Sequence, residues 1–354
     1  MNAQPDVKQR VGYIDIARGI ALFFVVLGHL IPFGSKSFNH IFSFHMPLFF
    51  ILSGMCTNIK KYDNFSDYLK SKIKSLIIPY FTFVAIGLIM SLIIPAWKSG
   101  LNVDQVINHV FYYTQPESLH VGPIWFLIAL FFSSLLFYVI EKIAKTSKPF
   151  RIITYLAFSI IGFNITKYIA TPGVIATTFY RLPFKLDVAL TAVIFIKIGN
   201  VIKNNKVVEK ICEKNILSVL TLLAIFYTLN YYLGAYTNGY VNICDCIYNN
   251  YFNYYIAAVT GSLFILIVSY KIKKNKVLEF YGKNSLSMFA IHSMYLALSA
   301  YILTKIYKYP VQIMQNVSTR DSFIVTFAIL IGLVPFAIVY NFVKKKMSKI
   351  IKVS

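Results

Sequence analysis

Ten apolar runs, each close to the length that crosses a bilayer as a helix, divide this chain from one end to the other. A transmembrane helix needs about 20 mostly apolar residues. The runs lie at 12–33, 41–57, 75–96, 122–140, 151–169, 184–202, 215–233, 252–270, 283–304 and 322–343. Within them, segments such as 127–140 do not alternate between polar and apolar residues, as the strands of a transmembrane barrel would. The sequence therefore predicts an all-α polytopic membrane protein with about ten transmembrane helices.

The composition excludes the main soluble classes. Hydrophobic residues make up 57% of the 354 residues and charged residues only 14%, against about 45–50% and 25% in soluble domains. Ten spans use about 200 residues, which leaves short loops and no separate catalytic domain. We expect a cytoplasmic N-terminal tail (1–11), a membrane domain (12–343) and a basic cytoplasmic tail (344–354).

The net charge of +22 follows the predicted topology. Of the 35 Lys and Arg residues, 25 lie in the two tails and in every second break between spans. Cytoplasmic loops of membrane proteins carry such an excess of Lys and Arg. We therefore expect both termini in the cytoplasm and the charge to attract anionic membrane lipids. Nucleic acid is not an expected partner.

The first span carries two ionisable residues on one face. Arg18 and His29 are eleven residues apart, which is only about 20° more than three full turns of helix and about 16 Å along its axis. Asp15, three residues before Arg18, is placed to pair with it. Ionisable groups inside a span are costly and indicate function. The structural alternative is that Arg18 reaches lipid phosphates and His29 bonds a neighbouring helix.

A second polar layer is expected near the outer face. His45 lies about four residues inside the second span, at the depth of His29, and Pro47 removes a backbone hydrogen bond beside it. Each further member could be a packed or interfacial residue, but several occur together. These are Glu117, Trp125, Arg181 and Asp187, with His292 near the middle of the ninth span.

The cytoplasmic side is expected to bind phosphate. Lys70, Lys72 and Lys74 precede the third span, at about the depth of Arg18. Fixed cations there can hold phosphate groups, although lysines at this position also follow from topology alone. Nucleotide-binding glycine motifs do not occur. No spacing of His, Cys or Glu suits a metal, so we expect none.

These motifs resemble acyltransferase family 3, the integral-membrane acyltransferases, and in particular its fucose 4-O-acetylase-like branch. The resemblance begins with YIDIARGIALFFVVLGH (13–29), which holds the family's Arg-x10-His pattern, and FHMPLFFILSG (44–54). LIIPYF (76–81), GPIWFL (122–127), LPFKLDVAL (182–190) and GKNSLSMFAIH (282–292) follow in order. One departure is that Lys72 and Lys74 stand where many relatives have arginines. Lysine lacks the bidentate fork of arginine.

The resemblance implies transfer of an acyl group, usually acetyl, from cytoplasmic acyl-coenzyme A to a hydroxyl of a cell-surface or lipid-linked glycan. Arg18, Lys72 and Lys74 would hold the coenzyme. The expected catalytic residues are His29, His45 and Asp187, with His29 acting as general base or becoming acylated itself. The expected substrate-binding residues are Trp125, Glu117, Arg181 and His292. The site would lie in the cell membrane, expected to be a bacterial cytoplasmic membrane.

Two other functions remain open from the sequence. Charged stripes inside helices also suit a transporter, either an exporter of small carboxylates or a glycan flippase. A transporter is expected to have paired interrupted helices in its two halves, and no such correspondence is visible. A non-catalytic scaffold in a polysaccharide assembly complex is the third possibility.

Overall fold

The computed structural model describes residues 12–98, 100–143, 147–169, 182–308 and 317–353. These ranges hold fifteen α-helices and no strand beyond one isolated pairing of Asn242 with Ile247. The helices are α1 Gly12–Gly28, α2 Lys36–Cys56, α3 Phe65–Lys72, α4 Ile78–Ile93, α5 Pro95–Lys98, α6 Val103–Ile107, α7 Trp125–Ile143, α8 Lys148–Ile169, α9 Leu186–Asn204, α10 Val207–Cys212, α11 Ile216–Asn230, α12 Tyr251–Ile272, α13 Lys276–Lys283, α14 Ser285–Tyr307 and α15 Thr319–Val353. The predicted all-α class is confirmed for this part of the chain.

Short polar side chains begin many of these helices. Ser35 accepts a hydrogen bond from the backbone N–H of Phe38 at the start of α2, and Asn64 accepts one from Asp67 at the start of α3. A capping oxygen satisfies a backbone donor that the first turn leaves without a partner. The same device begins α6, α11, α12 and α13, with Asn102, Asn215, Asn250 and Asn275. Asparagines in the loops therefore fix where the helices start.

Two long helices contain π-helical turns. Residues Ile73–Ile77 join α3 to α4, and Tyr231–Asn238 extend α11. Pro79 follows the first of these, and a proline cannot donate the backbone hydrogen bond that a regular α-helix requires. The wider turn changes which side chains of this segment face the protein interior.

Two helix pairs approach each other through glycines. A Cβ on Gly282 of α13 would lie against the backbone of Asp15 in α1, and one on Gly19 would lie against Leu278. In the same reciprocal way, Gly54 of α2 faces Ile196 of α9, and Gly199 of α9 faces Ile51 of α2. Small residues allow helices in membranes to pack backbone to backbone. These two contacts fix α1 and α2, the helices that carry the predicted site.

Six helical segments of the described chain are long and apolar enough to cross a membrane. They are Phe65–Ile93, Gly122–Lys142, Ile216–Asn238, Tyr251–Ile272, Ser285–Ile306 and Thr319–Lys346. Helices occupy all ten predicted segments, but the number ten and the cytoplasmic position of both termini stay predictions. α15 has 35 residues, about 50 Å at 1.5 Å per residue. It continues to Val353, through residues that the sequence predicted as a separate tail.

Candidate active site

The two predicted residues of α1 lie at opposite ends of that helix. Arg18 is on its second turn, and His29 follows its last residue, Gly28. Nη1 of Arg18 donates to Oδ1 of Asp15 at 3.3 Å, which is the predicted ion pair. Nη2 of Arg18 reaches Sγ of Cys56, at the end of α2, at 3.1 Å. The guanidinium is therefore held by both helices and points into the protein instead of toward lipid.

Arg18 forms part of the wall of a first cavity, which we name the inner cavity. Its volume is about 320 Å³. Its polar wall consists of Arg18, Ser53, Cys56, Thr57, Asn58, Tyr62, Tyr68, Lys72, Lys283 and Ser285, and its apolar end consists of Phe49, Phe126, Leu130, Leu286 and Phe289. Three cations and several hydroxyl groups thus surround one end, and aromatic rings close the other.

The structure separates the two lysines that were predicted to act together. Nζ of Lys72 lies 5.2 Å from the centre of the Tyr68 ring, on the inner cavity wall. Lys74 is exposed and forms no part of that wall. Two residues along a helix correspond to about 200° of rotation, so both side chains cannot face one cavity. The prediction for Lys74 is corrected on this ground.

A second cavity, which we name the outer cavity, has a volume of about 350 Å³ and contains His29. His45 from α2 and Trp125 from the start of α7 are on its wall, as is Glu117 from the preceding loop. The Oε1 atom of Glu117 accepts a hydrogen bond from Gln115 at 2.6 Å. Four of the predicted residues are therefore brought together around one space, and their chemical roles remain predictions.

Backbone carbonyls orient two further imidazoles near His29. Nδ1 of His45 lies 2.7 Å from the carbonyl oxygen of Ile41, and Nδ1 of His292 lies 2.6 Å from that of Phe289. A carbonyl oxygen only accepts, so in each neutral ring the proton is on Nδ1 and Nε2 keeps its lone pair. The Nε2 atom of His292 is buried and has no hydrogen-bond partner among the described residues.

The imidazole of His292 contacts that of His29. The two ring centres are 5.3 Å apart, and His292 is fully buried in α14 whereas His29 is half-buried. His292 is on the wall of neither cavity, and the substrate-binding role predicted for it stays a prediction. No group of three or more His, Cys, Asp or Glu side chains in the described part of the chain has the arrangement of a metal site.

Asp187 is not on the wall of either cavity. Asp187 is fully buried in the first turn of α9, where its Oδ1 accepts from the backbone N–H of Val188 at 2.7 Å. The carboxylate does not line the outer cavity, and its catalytic role stays a prediction. Arg181 lies outside the described residues.

Further loop residues lie on or near the outer cavity wall, and of these sequence reasoning missed Tyr240 and Lys185. Tyr240 lies on its wall, and burial raises the pKa of its phenol, which therefore stays protonated and able to donate. His120 lies on the same wall, 4.0 Å from the ring centre of Trp97, and burial lowers the pKa of its imidazole. Nζ of the buried Lys185 is 2.7 Å from Oε1 of Gln115 and 5.9 Å from the Trp125 ring centre. The unusual backbone at Lys185, with a φ of 53°, was not readable from its sequence.

One side chain belongs to both cavities. Phe289 of α14 lines the inner cavity and the outer cavity. Its ring centre lies 6.0 Å from that of Phe49, 5.7 Å from that of Phe126 and 5.6 Å from that of His292. An aromatic layer of Phe49, Phe126 and Phe289 therefore separates the space beside Arg18 from the space beside His29.

Comparison with known proteins identifies the family of this helical chain. Residues 11–342 match the family model Acyl_transf_3, which is described as an acyltransferase domain. A search of curated proteins finds no match. Because the family model covers nearly the whole chain, this protein belongs to acyltransferase family 3 and is a membrane acyltransferase.

Proposed function

We propose that the protein is an O-acetyltransferase that takes acetyl groups from acetyl-coenzyme A in the inner cavity. It passes them to a hydroxyl of a cell-surface or lipid-linked glycan in the outer cavity. The observation that carries the proposal is that the two ends of α1 open into separate cavities that share Phe289. This layout suits a donor and an acceptor that arrive from opposite sides of a membrane. The fucose 4-O-acetylase-like branch remains the expected subtype.

The inner cavity suits the charged part of the donor. Arg18 and Lys72 present basic groups on the same wall as the hydroxyl groups of Ser53 and Tyr62. Cations bind phosphate oxygens by charge-assisted hydrogen bonds, which are stronger than neutral ones. The apolar end of this cavity suits the pantetheine arm, with its thioester directed toward Phe289.

The outer cavity suits a sugar. Trp125 and Tyr240 offer aromatic faces on which the apolar face of a sugar ring can stack. Glu117, Asn242 and Asp245 bring amide and carboxylate groups that can accept or donate hydrogen bonds to hydroxyl groups. Such a mixture of aromatic faces and polar groups binds a neutral polyol better than it binds an anion.

His29 would carry the chemistry. In the direct route, the acceptor hydroxyl gives its proton to a ring nitrogen of His29 while its oxygen attacks the thioester carbonyl. The carbon–sulfur bond then breaks, and the leaving thiolate of coenzyme A takes the proton. His292 would hold the His29 ring in position through the contact between their tilted rings. His45 would present its Nε2 lone pair to a second hydroxyl of the acceptor.

In the alternative route, a ring nitrogen of His29 attacks the thioester and keeps the acetyl group after the thiolate leaves. The acceptor hydroxyl then displaces the imidazole. Rapid quenching of the purified protein with labelled acetyl-coenzyme A distinguishes the routes. Label on the peptide that contains His29 supports the two-step route, and its absence during turnover supports the direct one.

The proposed activity is tested with purified protein in lipid nanodiscs. We expect labelled acetyl-coenzyme A to yield free coenzyme A and labelled glycan when a cell-envelope extract is added. Mass spectrometry of surface glycans from cells with and without the protein would then identify the acetylated sugar. Movement of a carboxylate or glycan across vesicles without any covalent change would overturn the proposal in favour of a transporter.

A further inference from the structure

A third cavity adjoins the inner one and has no role in the transfer described above. We name it the basic cavity, and its volume is about 880 Å³. Its wall shares Cys56, Thr57 and Asn58 with the wall of the inner cavity. These three residues end α2 and begin the loop after it. A ligand that leaves the inner cavity past this segment therefore enters the basic cavity.

Cations from four separate elements surround the basic cavity. Lys60 lies in the loop after α2, Lys142 in the last turn of α7, Arg151 in the first turn of α8 and Lys203 in the last turn of α9. The described wall contains one acidic residue, Glu141, so its formal charge is +3. The excess of Lys and Arg in cytoplasmic loops explains only why these residues lie on the same side of the membrane. Their convergence on one cavity is an additional feature, and phosphate groups match it in charge.

Glu141 orients the guanidinium of Arg151 on the wall of the basic cavity. Its Oε2 accepts from Nη1 of Arg151 at 3.1 Å, and its Oε1 accepts from Nζ of Lys197 at 2.7 Å and from the hydroxyl of Tyr155 at 2.9 Å. Glu141 is only 9% exposed and Arg151 is 22% exposed. The guanidinium is therefore held in a fixed position before any ligand arrives. Preorganised cations bind phosphate with less loss of side-chain freedom.

The basic cavity also offers groups that suit a purine. Nδ2 of Asn200 donates to the backbone carbonyl of Thr57 at 3.3 Å, and Nδ2 of Asn204 donates to Oδ1 of Asn200 at 3.0 Å. These amides connect α9 to the segment that both cavities share. Amide side chains can pair with the donor and acceptor edge of an adenine base.

We propose that the basic cavity binds the 3′-phosphoadenosine end of the acyl-coenzyme A donor. This inference rests on the proposed function, because it requires the pantetheine arm to lie in the inner cavity. The pyrophosphate then lies between Arg18, Lys72 and Asn58, and the ribose 3′-phosphate lies among Lys142, Arg151 and Lys203. The inner cavity alone selects for a thioester on a phosphate-bearing arm, and the basic cavity selects for the 3′-phosphate.

The test compares two ligands that differ by one group. The dissociation constants of coenzyme A and 3′-dephospho-coenzyme A are measured with the protein in nanodiscs of neutral lipid. We expect the wild type to bind coenzyme A at least about 10-fold more tightly, as charge-assisted contacts to a phosphate predict. Lys203→Gln and Lys142→Gln should each weaken coenzyme A binding about fivefold and leave 3′-dephospho-coenzyme A within about twofold.

Lys210→Gln is the matched control, because Lys210 is exposed on α10 and lies outside the walls of all three cavities. It loses the same charge near the same face and should preserve the preference for coenzyme A. Equal binding of the two ligands by the wild type would overturn the inference, as would equal losses for both ligands in the variants. If the wild type binds neither ligand, the proposed function itself fails.

Anionic lipid is the other source of phosphate near this cavity. The measurement is therefore repeated in nanodiscs that contain phosphatidylglycerol. A modest, equal weakening of both ligands by the lipid, with the preference for coenzyme A retained, supports the inference. Loss of the preference, together with less phosphatidylglycerol copurifying with Lys203→Gln than with Lys210→Gln, would assign the cavity to a lipid headgroup and overturn it.

Discussion

The inner and outer cavities lie at the two ends of one helix and use different kinds of polar group. The inner cavity presents the basic side chains Arg18, Lys72 and Lys283. The outer cavity presents imidazoles, aromatic rings and loop amides. Basic side chains suit a ligand that must be held by its phosphates. Neutral imidazoles suit a ligand whose hydroxyl must lose a proton.

The two cavities also differ in how their walls are built. Most of the inner wall comes from the ends of helices, and the glycine contacts between α1 and α13 bring Arg18 and Lys283 to the same cavity. Much of the outer wall comes from irregular segments before α7 and α12, which contain Glu117, Tyr240 and Asp245. Loops tolerate change better than packed helices. We therefore expect donor binding to be the conserved function of this architecture and acceptor choice to be the adaptable one.

Replacing His29 with alanine should have the largest effect. It should distinguish acetyl transfer, assigned to the outer cavity, from coenzyme A binding, assigned to the inner cavity. Loss of a general base or of a covalent intermediate typically costs at least about 100-fold in rate. We expect transfer from acetyl-coenzyme A to fall by that factor while the dissociation constant of coenzyme A stays within about twofold. Measuring turnover and coenzyme A binding on the same preparation checks both parts.

His40→Ala is the control for that experiment. His40 is on α2 and packs against Tyr227 and Tyr231, away from the outer cavity wall. It should retain most of the activity. A His29→Ala protein with full transfer would remove His29 from the mechanism, and one that no longer binds coenzyme A would show that the two cavities are not functionally separate.

Replacing Phe289 with alanine should join the two cavities. The aromatic layer is expected to keep water from the thioester until an acceptor is bound. Opening it should raise the ratio of thioester hydrolysis to acetyl transfer by about 10-fold, because removal of the ring admits water to the apolar end of the inner cavity. The measurement is release of free coenzyme A with and without acceptor.

A large-to-small change in the core also costs about 3–5 kcal/mol of stability, so a matched variant is needed. Phe137→Ala removes the same side chain from a buried position on α7 that lines neither cavity. It should destabilise the protein to a similar degree without uncoupling hydrolysis from transfer. Phe289→Leu should keep transfer coupled. Unchanged hydrolysis in Phe289→Ala would mean that the layer is not the barrier.

Lys72 and Lys74 provide a smaller test of the inner cavity. Lys72→Ala removes a cation from the cavity wall and should raise the KM for acetyl-coenzyme A about fivefold, with kcat little changed. Lys74→Ala removes the same charge from an exposed position two residues away and should change KM less than twofold. Equal effects of the two substitutions would indicate a general electrostatic contribution instead of a contact.

The same pair illustrates what the sequence could predict. Helical periodicity placed Arg18 and His29 on one face, and in the structure each lies on a cavity wall. The same periodicity places Lys72 and Lys74 on opposite faces, so grouping them by depth alone was not justified. Asp187 was also predicted from depth, and depth does not give the direction of a side chain around its helix.

The outer wall was the least predictable part. Tyr240 is on this wall, and Lys185 is near it beside Trp125. Both lie in loops whose paths depend on positive φ angles and on long-range hydrogen bonds, neither of which has a periodic signal. Phe289 was missed for another reason. It is one of 31 phenylalanines in the chain, and only the position of α14 between the two cavities distinguishes it from the others.

The smallest expected effect concerns acid sensitivity of the outer cavity. Burial lowers the pKa of His120 in the folded protein below its ordinary value of 6.5. The unfolded chain therefore binds more protons at this site than the folded protein does. The contribution of the His120 imidazole to stability falls as the pH drops through 6.5. His120→Gln lacks that contribution, so its melting temperature should decline less than that of the wild type between pH 7.5 and about pH 5.5. Loss of the contact with Trp97 lowers the melting temperature of His120→Gln at all pH values. The test is therefore how the difference in melting temperature between the wild type and the variant changes with pH. A difference that stays constant across this range would show that the imidazole is equally easy to protonate in both states.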